Sequence, residues 1–255
     1  MLASTWYKDS GIPVVFLHGF LGAQDDWAEI IKLLQNFPQI RPLVVDLPEH
    51  GESQQIHCVD FNQCRKLLDE TFQNRIGKQP FYLVGYSLGG RLVLDYAVNA
   101  NNPNIAGIFL EGANIGLDSP TEKQARWQND MRWAERFRQE PLFQVLQDWY
   151  QQTVFADLTK ESRQALIHRR SLNDGQSLAQ MLSATSLAKQ PFYSPERIAA
   201  LAVNTIFVVG EQDGKFRQMV EQYQLPYRLI ENAGHNTHLA NPQGFVKQLL
   251  QFISE

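Results

Sequence analysis

Only two cysteines occur in 255 residues, so cross-links cannot hold this chain together and a buried core must. No apolar run approaches the ~20 residues of a bilayer crossing. Met1 to Lys8 lacks the basic-then-apolar order of an export signal. The expectation is a cytoplasmic protein without membrane insertion. Positive charge is scarce as well: 23 Lys and Arg against 27 Asp and Glu leave a net charge of −4. That argues against a nucleic-acid binder held by phosphate neutralisation. Low-complexity tracts, flexible linkers and internal repeats are missing too. What is present, 44% apolar and 20% charged residues, is the composition of an ordinary globular protein.

Short apolar runs at Ile12–Leu17, Arg41–Leu47, Phe81–Tyr86 and Ile105–Glu111 read as strands buried on both faces. Between them, Trp27, Ile30, Ile31 and Leu34 keep helical spacing, as do Leu88, Leu92 and Tyr96. Strand and helix in alternation predict a parallel α/β sheet with right-handed crossovers. The pattern changes after Leu117. Helices are expected over 120–139, 142–151, 159–170 and 175–187, the first opened by the Ser119-Pro120-Thr121-Glu122 capping box. Alternation resumes with strands at Thr205–Gly210 and Tyr227–Glu231, a helix at Phe216–Gln222 between them, and a last helix capped by Asn241-Pro242. Residues 1–117 and 196–255 therefore form a core, and 118–195 a helical lid inserted in it.

The sharpest chemical signal is Gly85-Tyr86-Ser87-Leu88-Gly89-Gly90, between a strand and a helix. This is the G-x-S-x-G nucleophile elbow in its required setting. The turn is too tight for side chains at 85 and 89, and the following helix points its free N–H groups at charge developing beside Ser87. A serine alone is a poor nucleophile or base, so an acid and a histidine should follow downstream in that order. Asp213 and His235 do, each just past the end of a strand. Glu211 is the rival acid, disfavoured by its shorter reach. His18-Gly19-Phe20 follows the first strand, where the N–H groups of Phe20 and Leu88 would form an oxyanion hole. His238, three residues after His235, raises a metal pair, but no further ligands cluster nearby, so no metal is expected. His50 and His57 read as loop residues, His168 as a helix residue, and Cys58 and Cys64 as bystander thiols.

The elbow, the HGF loop and the spacing of Asp213 and His235 resemble the α/β-hydrolase superfamily over nearly the whole chain. The implied fold is a mostly parallel, doubly wound sheet with an inserted helical lid. Narrower strings, among them Ser87-Leu88-Gly89-Gly90-Arg91, Asp148-Trp149-Tyr150-Gln151-Gln152, Arg170-Ser171, Ala184-Thr185-Ser186-Leu187-Ala188 and Lys215-Phe216, are similar to the 2-succinyl-6-hydroxy-2,4-cyclohexadiene-1-carboxylate synthases of menaquinone biosynthesis. The resemblance implies a lyase that eliminates pyruvate from 2-succinyl-5-enolpyruvyl-6-hydroxy-3-cyclohexene-1-carboxylate, with no cofactor. It further implies that Arg91, Arg126 and Arg170 grip the three substrate carboxylates, helped by Lys215, while Tyr86, Trp149 and Phe155 wall the ring. The expected partner is that small tricarboxylate, met by a monomer.

Two other readings use the same residues. A serine carboxylesterase or thioesterase for a small acidic acyl group would employ the same triad, although a lipophilic-ester hydrolase has no need of arginines at 91, 126 and 170. A binding protein that has kept the fold has no need of the triad at all. One departure stands out. Asp46-Leu47-Pro48-Glu49-His50-Gly51-Glu52-Ser53 looks like the superfamily's D-x-P-G-x-G-x-S loop with Glu49 in place of a glycine. If that position needs positive φ, Glu costs roughly 1 kcal/mol or more there.

Overall fold

A computed structural model describes residues 1–255. Seven strands, β1 (Ser4–Trp6), β2 (Ile12–Leu17), β3 (Ile40–Val45), β4 (Phe81–Tyr86), β5 (Ile105–Glu111), β6 (Asn204–Gly210) and β7 (Tyr227–Ile230), form one sheet in the order β1-β3-β2-β4-β5-β6-β7. All neighbours run parallel except β1, which pairs antiparallel with β3. Successive residues of the buried strands serve opposite faces. Val15, Leu17 and Leu83 join one apolar cluster, whereas Val14, Phe16 and Val84 join another. This is why the strands read as continuous apolar runs.

Helices cover both faces. On one side lie α2 (Phe61–Arg75) and α3 (Leu88–Asn99), with Phe72 and Tyr96 meeting edge to face, and α8 (Pro195–Ala199) and α9 (Gly214–Gln222) also pack there. On the other side α1 (Ala28–Leu34) packs beside α11 (Pro242–Ser254) through Trp27, Ile30, Phe245 and Leu249. The short α10 (Thr237–Ala240) precedes α11. Between β5 and α8 the chain forms only helices: α4 (Pro120–Gln139), α5 (Leu142–Trp149), α6 (Lys160–Arg170) and α7 (Gly175–Ala184), plus a 3-10 turn at Thr153–Phe155. Ser119 caps α4 by accepting from the Glu122 N–H, with Pro120 at the first position. This insertion carries an apolar cluster of its own, built on Ala134, Phe137, Leu146, Ile167 and Leu178, into which Leu21 of the core projects.

Four elements escape a reading of the sequence: α8 and α10, at five and four residues, are too short for a helical period to show. β1 is three residues long, too short for alternation to show. The apolar face of α2 includes Cys64 and Thr71, which blur its period; both cysteines are buried and free. Glu49 does adopt positive φ, at 65°. Its buried carboxylate accepts from His57 Nδ1 at 3.0 Å and from the Cys58 N–H at 3.3 Å, bonds a glycine could not make and which offset the strain.

Candidate active site

The site gathers at the C-terminal ends of β2, β4, β5, β6 and β7. Ser87 follows β4 with φ 49° and ψ −106°, a conformation normally left to glycine. A Cβ at Gly85 would stand 2.6 Å from the Gly89 backbone, so the elbow closes only with glycine there. Asp213 ends the β6 loop and caps α9, its Oδ1 accepting from the Phe216 N–H at 3.2 Å. Its Oδ2 lies 2.9 Å from His235 Nδ1, and His235 Nε2 lies 3.4 Å from Ser87 Oγ. The three side chains expected to act together thus meet in sequence order. Glu211 instead is exposed and accepts from the Asn232 N–H. Phe216 stacks on the His235 ring, centroids 4.8 Å apart, a restraint that the sequence reading did not name.

Phe20 and Leu88 line the same space, and their N–H groups donate to no group of the protein. Leu88 opens α3, so its N–H has no partner within the helix. His18 and His50 brace this corner from below. His18 Nδ1 donates to the Gly19 carbonyl and its Nε2 accepts from the Leu47 N–H; His50 Nδ1 donates to Pro48 and its Nε2 accepts from Leu21. Both rings are fully buried, and burial holds their pKa values down at about 4 and about 3. They are neutral struts.

His238 turns away from the site. Its Nδ1 is 2.8 Å from the buried Glu111 carboxylate, which also accepts from Thr237 Oγ1. His235 and His238 thus serve different carboxylates rather than one shared ligand.

Ser87 and His235 open on a cavity of about 150 Å³ whose wall includes Arg91, Arg126, Lys215, Trp149 and Phe155. Burial and then Arg126 lower the Arg91 pKa to about 9, and the same two causes lower Lys215. The one carboxylate on the wall, Asp130, accepts from Arg126 Nε at 2.8 Å and from Ser186 Oγ at 2.7 Å. Three cations against one anion make a pocket whose self-repulsion an anionic ligand would relieve. Asp130 was not singled out in the sequence, although its position four residues after Arg126 on one helix is the signal that could have found it.

Two expected contact residues lie elsewhere. Tyr86 is buried behind the elbow and donates its hydroxyl to Asn236 Oδ1. Arg170 is buried against Asp26, with Tyr150 beside it, and does not line the cavity. An arginine is not confined to water when a carboxylate waits for it inside, and Asp26 stands too far away in sequence for the pairing to be legible.

Residues 12–242 match the family model of the alpha/beta hydrolase fold. Proteins of Yersinia pseudotuberculosis serotype O:1b (strain IP 31758) and Yersinia pestis (strain Pestoides F) are each 42% identical over 249 residues, covering 98% of this chain and 90% of theirs. Both carry the name 2-succinyl-6-hydroxy-2,4-cyclohexadiene-1-carboxylate synthase. Among solved structures, MenH from S. aureus superposes with a TM-score of 0.89 at 25% identity, over 100% of this chain and 98% of that one. A thermophilic esterase from Thermogutta terrifontis, at TM-score 0.80 and 22% identity over 99% and 93%, shares the fold.

Proposed function

For a chain that belongs to the α/β-hydrolase family, and within it to the 2-succinyl-6-hydroxy-2,4-cyclohexadiene-1-carboxylate synthases, we propose a pyruvate-eliminating lyase acting in menaquinone biosynthesis. The observation that carries the reading is the Ser87–His235–Asp213 chain opening on a cavity walled by Arg91, Arg126 and Lys215. No helix is long and apolar enough to cross a membrane.

The two compound names fix the bond changes. A 3-cyclohexene bearing succinyl at C2 and enolpyruvyl at C5 becomes a 2,4-diene. The proton at C2, α to the succinyl carbonyl, is removed; its electron pair forms C2=C3, the ring double bond moves to C4=C5, and the C5–O bond breaks. Pyruvate departs as its enolate and takes up the proton that His235 drew from Ser87, which restores the neutral imidazole while Ser87 Oγ keeps the proton from C2. Ser87, polarised by His235, receives the C2 proton, while Asp213 holds the imidazole tautomer and stabilises the imidazolium. The Phe20 and Leu88 N–H groups take the enolate oxygen of the succinyl carbonyl. No acyl-enzyme is needed and no water is consumed. Arg91, Arg126 and Lys215 hold carboxylates, Trp149 and Phe155 flank the ring, and α4–α7 serve as the lid.

The deciding experiment is a pyruvate-coupled assay with the cyclohexene substrate, run beside a panel of simple esters. Stoichiometric pyruvate is expected. Ester turnover without pyruvate release would replace the lyase by a hydrolase. Losing one charged grip on a carboxylate is worth about 1.5–3 kcal/mol. Arg91→Ala and Arg126→Ala should therefore each raise KM by roughly 10- to 100-fold, and unaltered kinetics in both would remove them from binding.

A further inference from the structure

The end of α6 reaches out of the helical insertion to the loop that follows β2. Arg170 Nη2 lies 2.6 and 2.7 Å from the two Asp26 oxygens, and Arg169 Nη1 lies 3.5 Å from one of them. Asp26 belongs to the 3-10 turn Gln24–Trp27, just after the Gly19–Gly22 loop. Its carboxylate presses on Gly22, where a Cβ would collide with it and with the His18 ring. Three residues past Arg170, Asn173 Nδ2 donates to the Leu21 carbonyl at 3.0 Å. From the other side, His50 Nε2 accepts the Leu21 N–H at 3.2 Å.

Leu21 needs this hold. Its φ is 71°, and the left-handed region costs a residue with a side chain roughly 1–2 kcal/mol. The loop it closes orients the peptide unit between Gly19 and Phe20. The Gly19 carbonyl accepts from the Gly22 N–H at 3.0 Å and from His18 Nδ1 at 2.8 Å. In a trans peptide the N–H points opposite to the C=O, so fixing that carbonyl aims the Phe20 N–H at the space beside Ser87.

We propose that Arg170 and Asn173 are positioning residues: from the helical insertion they set the Gly19–Gly22 loop, and through it the Phe20 N–H, without touching substrate. Arg170 acts through Asp26. The inference rests on the proposed use of the Phe20 N–H as an oxyanion donor. It ties the seating of the insertion on the core to the geometry of the oxyanion hole.

Two rates test it: pyruvate release, and phosphonylation of Ser87 by a fluorophosphonate, which needs the same hole whatever the natural substrate. Misplacing a donor by about 1 Å costs up to about 10²-fold. Asn173→Ala, which strands no charge, should lower kcat and the phosphonylation rate together by roughly 5- to 20-fold, with KM within about twofold. Arg170→Met and Asp26→Asn should each lower both rates by roughly 10- to 100-fold. Since Arg170→Met leaves the buried Asp26 carboxylate with only the half-exposed Arg169 at 3.5 Å, the double variant Asp26→Asn/Arg170→Met guards against misfolding. It should be no slower than the worse single variant, because the two residues act as a unit. A raised KM with intact kcat and phosphonylation in Arg170→Met would put the guanidinium on the substrate and overturn the proposal. So would an unaltered phosphonylation rate in Asn173→Ala. Wild-type protein that is phosphonylated yet releases no pyruvate would reject the lyase, and the phosphonylation rates would still decide the positioning.

Discussion

Replacing Ser87 by alanine is expected to lower kcat for pyruvate release by roughly 10³-fold or more while leaving substrate affinity within a few-fold. Alanine keeps the Cβ, so the elbow at φ 49° feels no new clash and loses only Oγ. The groups proposed to hold carboxylates, Arg91, Arg126 and Lys215, line the cavity beside Ser87 and are untouched by the change. Binding and proton removal therefore separate. His235→Ala should cost a similar factor, and the double variant little more, because a base and the group that polarises it fail as a unit. Equilibrium binding of substrate to the Ser87→Ala protein, beside its turnover, checks both halves. Substantial residual turnover would take the serine out of the mechanism.

Acid should destabilise the fold on the order of 3–4 kcal/mol between pH 7 and pH 5. His18 and His50 are held at about 4 and about 3 in the folded protein by burial, against about 6.5 in an unfolded chain. Between those values the unfolded state binds more protons than the folded one. Stability therefore rises with pH through that window, is fully present above about 6.5, and is lost as pH falls. Two such groups give a slope approaching two protons per molecule near pH 5. Urea unfolding at a series of pH values measures it. His50→Gln, which retains an acceptor for the Leu21 N–H, should flatten the slope by nearly one proton at some loss of stability at pH 7. Equal unfolding free energies at pH 7 and pH 5 in the unaltered chain would contradict the assignment of both rings as neutral struts.

The parts of this molecule that were legible are those whose cause is local. The β4–Ser87–α3 elbow, the apolar strands and the capped starts of α4 and α11 each carry their reason within a few adjacent residues. Asp213 and His235 were readable because each follows a strand end in a fixed chain order. Arg170 and Tyr86 show where this stops. Their side chains are decided by Asp26 and Asn236, 144 and 150 residues away, and one sequence carries no sign of either pairing. His238 is similar: the sequence, which held no reason to expect a metal there, offered it no partner, and Glu111 across the sheet end claims it. Helix α2 failed for another reason, since cysteine and threonine fill core positions that an apolar count passes over.

Leu21 has one further consequence. It is the single fully buried residue of the α/β core that packs inside the apolar cluster of α4–α7, and it also carries strained backbone beside Phe20. A helical segment transplanted from another member of the superfamily to change substrate preference would not be a free-standing cassette. It would have to bring a socket for residue 21 and a donor for its carbonyl, or the graft would bind new ligands while leaving the chemistry behind.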